Sequence, residues 1–121
     1  MGNRANIAIK QPVMSQEGEP VFIYLYTHWN GAVLPQILQS ALKRGMSRWG
    51  DAPYLTRIIF SEMIKDDVMG ETGAGISTYL TDNSHAIIVV DIERETIHIA
   101  NQFWQFSDYI ETNLEEALID Y

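Results

Sequence analysis

Residues 21–29 read VFIYLYTHW and run straight into the polar break Asn30-Gly31. Nine residues without a formal charge, rich in aromatic and β-branched side chains, predict a strand covered on both faces. The rest of the chain reads as material arranged to pair beside that strand and to cover it.

Upstream, residues 6–10 (NIAIK) form a short candidate strand. Residues 11–20 hold two prolines, a glycine and two glutamates, which predicts an exposed connection closing a hairpin between the two strands. Downstream the period changes. Val33, Leu34, Ile37, Leu38, Ala41 and Leu42 recur at helical spacing, with Asn30 as a candidate cap and Pro35 in the first turn. Lys43 and Arg44 suit the negative end of the helix dipole, and Gly45 suits a left-handed exit. A second stripe, Leu55, Ile58, Ile59 and Met63, follows the N-cap Asp51 and Pro53 and predicts a helix ending near Asp67.

After Gly70, Gly73 and Gly75, strands are expected over residues 76–81, 86–92 and 96–100. Phe103, Trp104 and Phe106 add aromatic bulk, and Ser107 is a candidate cap for a short turn. Thr112 with Glu115, or Asn113 with Glu116, predicts the start of a last short helix carrying Leu114, Leu118 and Tyr121. The expectation is one α+β domain over residues 1–121. It has an antiparallel sheet of about five strands, the order ββααβββ plus a short C-terminal helix, and two antiparallel helices on one face. The order resembles a reduced core of the amino-terminal nucleophile hydrolases. The chemistry of that family is not implied, because no Cys, Ser or Thr opens the first strand.

The 121 residues contain no cysteine, which removes disulfides, thiolate metal sites and thiol nucleophiles. No apolar run approaches the ~20 residues of a membrane span, and the N-terminus lacks signal-peptide character, so a cytoplasmic protein is expected. The net charge of −8 is uneven. The first 60 residues carry six basic and three acidic side chains, the remainder two basic and thirteen acidic. Such an acidic second half repels a phosphate backbone and disfavours general nucleic-acid binding.

Three stretches are candidates for chemistry. In Thr27-His28-Trp29-Asn30-Gly31, His28 is either a general base beside the amino end of a helix or a satisfied interior histidine, with Asn30 only a cap. In the second stretch, Arg48 and Arg57 are placed to clamp an anion while Trp49 or Tyr54 stacks on a planar group. The plainer alternative has Asp51 capping the helix and pairing with an arginine, and Trp49 plugging the core edge. The third, GETGAGIS at residues 70–77, has glycine density without a phosphate-loop pattern and reads as a mobile turn or lid. The histidines and acids show no metal-ligand spacing, and no cofactor motif occurs.

The combination YTHWNG, RWGDAPYLTRIIF, GAGIST and the IIVVD strand resembles a family of small uncharacterised phage- and prophage-associated proteins. The resemblance spans roughly residues 7–104 and carries no catalytic residue. It implies a mobile-element accessory protein acting in a host cytoplasm, interference with host defence being one form of that role. Three readings follow. One is a non-enzymatic protein that binds a host protein or a small anion near His28, Trp29, Asn30, Arg48, Trp49, Tyr54 and Arg57. Another is a small hydrolase or transferase with His28 as base and Asp51 as its orienter. The last is a self-assembling protein joined through an edge strand or the C-terminal stripe.

Overall fold

The middle of the sheet belongs to the first strand, not to residues 21–29. A computed structural model describes residues 2–13 and 18–121 and shows a six-stranded mixed sheet in the order β3-β2-β1-β4-β5-β6. The strands are β1 (Ala5–Lys10), β2 (Phe22–Thr27), β3 (Ala74–Ser77), β4 (Ile88–Asp91), β5 (Thr96–Ile99) and β6 (Gln102–Gln105). Helices α1 (Leu34–Arg44) and α2 (Ala52–Ile64) follow β2, and the short α3 (Phe106–Tyr109) and α4 (Leu114–Ala117) follow β6. Of the connection expected over residues 11–20, residues 14–17 lie outside the described residues.

On β1, Ala5, Ile7 and Ile9 are fully buried in the core formed with α1 and α2, while Asn6 and Ala8 are buried on the opposite face. On β2 only Leu25 and Thr27 are buried; Phe22, Tyr24 and Tyr26 lie half-buried on the face away from the helices. The aromatic run was expected to be enclosed. Instead the rings lie along a partly open face, a position suited to tyrosines, whose apolar bodies pack while their hydroxyls stay near water.

The expected all-antiparallel sheet is also corrected. β1 pairs β2 antiparallel but β4 parallel, in the register Ile7 with Ile88 and Ile9 with Val90. β3 is antiparallel to β2, so it runs in the same direction as β1 and β4. Passing from β3 to β4 therefore requires a crossover. Residues 78–87 make it across the face opposite the helices, bonding to Asn6 and Arg4 on the way. The sixth strand, Gln102–Gln105, comes from the aromatic stretch, with Trp104 packed toward the core and Phe103 exposed.

Both main helices form where their apolar stripes predict. Leu34, Leu38, Ala41 and Leu42 of α1 face Leu55, Ile59 and Met63 of α2 and the sheet. Neither Asn30 nor Asp51 makes a side-chain cap bond, whereas Asn113 accepts from the Glu116 amide at 3.3 Å. Gly45 is not left-handed (φ −95°). Its missing side chain serves close approach instead, since a Cβ there would sit 3.1 Å from Ile58 Cγ2 on α2.

Candidate functional site

The residues singled out in the sequence fall into three places. At the carboxyl end of β2, the Tyr26 hydroxyl lies 2.8 Å from His28 Nδ1, and the His28 ring meets Trp29 edge-on at 4.3 Å. The His28 N–H donates to Gly73 O, and its carbonyl accepts from Asn3. The chain leaves this end through a short 3-10 turn, Gly31–Val33, before α1 begins. The amides expected to hold an anion are already engaged. Asn30 N–H donates to Thr27 Oγ1, Gly31 N–H to Asn3 O and Val33 N–H to Asn30 O. Trp29 is 58% exposed and roofs a small cavity of about 160 Å³ above Thr27, Met63 and Asp67.

The second group lies at the other end of the sheet, separated from His28 by the length of α1, about 16 Å for eleven residues. There Arg48 stacks on the Tyr54 ring at 5.0 Å and approaches Asp51 at 3.9 Å. Trp49 donates its indole N–H to Leu42 O at 2.9 Å and packs edge-on against Phe106. So His28 and Asp51, paired in the hydrolase reading, are not brought together. The stacked cation and the plugging tryptophan serve this chain's own packing.

Arg57 follows Tyr54 by one turn of α2 and, among the described residues, makes no ion pair. It borders a groove of about 480 Å³ between α2 and the sheet, whose apolar lining includes Leu25, Phe60, Ile64, Val68 and Ile76. The groove forms because β3 is an edge strand, so Ile76, opposite Leu25 in register, has no neighbouring strand on its outer side among the described residues. Ile76 is 59% and Val68 62% exposed, and Met69, next to Val68 in the chain, is almost wholly so. Among the described residues no acidic side chain lines this groove. Val68 was not singled out in the sequence, and Ile76 only as part of the glycine-dense stretch 70–77. The signal that points to them is the charge-free pair Val68-Met69, lying past the end of α2, where no helix face remains to bury it.

The glycine-dense stretch supplies β3 itself. Gly73 takes a positive φ of 105°, with the Trp29 indole against its Cα. His85 Nε2 lies 2.6 Å from Asn3 Oδ1, its ring stacked on Tyr121, while His98 is exposed on β5. Among the described residues no three His, Cys, Asp or Glu side chains gather closely enough to hold a metal ion, and no helix is long and apolar enough to cross a membrane. Set against protein-family models, curated proteins and solved structures, the chain matches none of them.

Proposed function

We propose that this chain is a binding protein without enzymatic activity, a phage or prophage accessory that engages a host protein through the groove between α2 and the β3 edge. The observation that carries this reading is the apolar groove itself, flanked by Ile76 and Val68, each more than half exposed at the sheet's open edge. Large apolar side chains gathered around a concavity mark interaction surfaces, whereas isolated ones do not. The phage setting rests on the sequence resemblance, and interference with host defence is one form the role can take.

The hydrolase reading has less support. It asks Asp51 to orient His28, yet the neighbour of His28 is Tyr26 and that of Asp51 is Arg48. The small-anion reading asks Arg48 and Arg57 to act as one clamp, yet Arg48 is held on Tyr54.

The test is selection from a displayed random-peptide library on immobilised wild-type protein, scored against Ile76→Asp and Val68→Asp. Both positions are exposed, so the variants should melt close to the wild type. The expected result is enriched peptides that lose about tenfold or more in affinity on either variant. A library that distinguishes neither variant from the wild type, or a purified protein that turns over a substrate, overturns the reading.

A further inference from the structure

The same groove says what kind of chain it takes. Among the described residues β3 pairs with β2 alone, so every second residue of Ala74–Ser77 turns its N–H and C=O groups away from the sheet. An extended segment laid along this side would complete those hydrogen bonds. Its side chains, alternating at period two, would drop every second one over the groove beside Ile76.

Charge narrows the occupant further. Of the eight basic side chains, Arg4, Lys10, Arg44, Arg48, Lys65 and Arg94 each have a carboxylate within 4.0 Å. Among the described residues Arg57 and Lys43 do not. Lys43 is exposed on the last turn of α1, where it complements the helix dipole. Arg57 borders an apolar groove with no acid among the described residues of its lining, although the chain as a whole carries a net charge of −8.

Resting on the reading above, we infer that the occupant is an extended acidic segment of another protein. It adds to β3 as a seventh strand, seats an apolar side chain between Ile76 and α2, and sets a carboxylate against Arg57. A second copy of this chain fits less well. Its own β3, Ala74–Ser77, carries no carboxylate, so edge-to-edge pairing would leave Arg57 without a partner from that strand.

The test uses the peptides enriched on the full-length protein, synthesised with single backbone N-methyl groups along their length. A strand uses the amides of alternate residues, so N-methylation should weaken binding about tenfold at every second position and little in between. The enriched sequences should contain Asp or Glu. Arg57→Glu should weaken them about tenfold and be rescued by peptides in which that acid is Lys. Peptides that need Ile76 but are indifferent to the position of the N-methyl group, or that carry no acid, overturn this inference while the groove reading stands. A library yielding nothing removes both. A wild-type dimer in light scattering that Ile76→Asp converts to monomer assigns the edge to a second copy and also overturns the inference.

Discussion

Asn6, at the centre of the sheet, donates its side-chain N–H to Asn83 Oδ1 at 3.0 Å across 77 residues of chain. The same amide reaches Asp82 O at 3.2 Å, and its Oδ1 accepts from the Thr81 hydroxyl at 3.1 Å. A fully buried asparagine on the central strand is tolerable only with such partners. Here they are what fastens the β3–β4 crossover to the sheet. Asn6→Ala should cost about 1–2 kcal/mol in urea unfolding, because the hydrogen bonds that fasten the crossover are lost together, while the exposed Asp82 and Asn83 can turn to water. Hydrogen exchange localises the effect. The Ser84 amide, which donates to Arg4 O, should exchange faster in the variant by more than the global destabilisation explains. Unchanged protection there would mean that the crossover holds without Asn6.

Gly73 and Trp29 are tied by backbone angle and by contact. With φ at 105°, an added Cβ would be strained and would also meet the Trp29 indole at 3.0 Å. Gly73→Ala is expected to lower stability by about 1–3 kcal/mol. The two causes separate in a double-mutant cycle. In a Trp29→Ala background the contact part disappears and the backbone part remains, so the cost of Gly73→Ala should fall without vanishing. An identical cost in both backgrounds would show that the indole yields freely.

The Tyr109 hydroxyl, fully buried, donates to Pro35 O in the first turn of α1 at 2.8 Å. Tyr109→Phe should cost about 1 kcal/mol near neutral pH, since the helix amide four residues on also reaches that carbonyl. Burial foremost, then the neighbouring Tyr121, holds the Tyr109 phenol far above its ordinary value of 10.0. A phenol that keeps its proton when folded but loses it when unfolded favours unfolding at high pH. The wild type should therefore lose stability as pH climbs past about 10, with the variant less affected, so the gap between them closes there. A gap that is constant with pH would contradict the burial of this proton.

Both main helices were legible because Val33 to Leu42 and Leu55 to Met63 repeat at 3.6 residues, a period set by each helix alone. The fold class was legible for the same reason. Which strand is central was not, because Phe22, Tyr24 and Tyr26 read the same whether their rings are enclosed or lie along a half-open face. The parallel pairing of β1 with β4 depends on the path of residues 78–87, and no local period records that path. At the candidate site, Arg57 could be picked out as a cation on a helix. Ile76 could not be told from a core residue, since its exposure follows from β3 having no neighbour.

Glu62 gives the sharpest test of electrostatics, because a carboxylate buried on α2 is held by two cations from outside the core. Arg44 Nε lies 3.0 Å from Oε1 and Lys65 Nζ 2.7 Å from Oε2. The Lys65 hydrogen bond is the largest influence on its titration; with Arg44 it outweighs burial, which acts the other way, and holds Glu62 below its ordinary 4.5. A carboxylate with a depressed folded pKa stabilises above about pH 4.5, and that stability is lost as pH falls through the folded value. Arg44 and Lys65 are each half exposed or more, so solvent screening keeps the gain small. Glu62→Gln is then expected to cost about 1–2 kcal/mol at neutral pH, measured by urea unfolding. Below pH 4.5 the wild type should lose stability faster than the variant, and the two curves should converge. Parallel curves from pH 7 to pH 3 would mean that the clasp contributes through its shape and not through its charge.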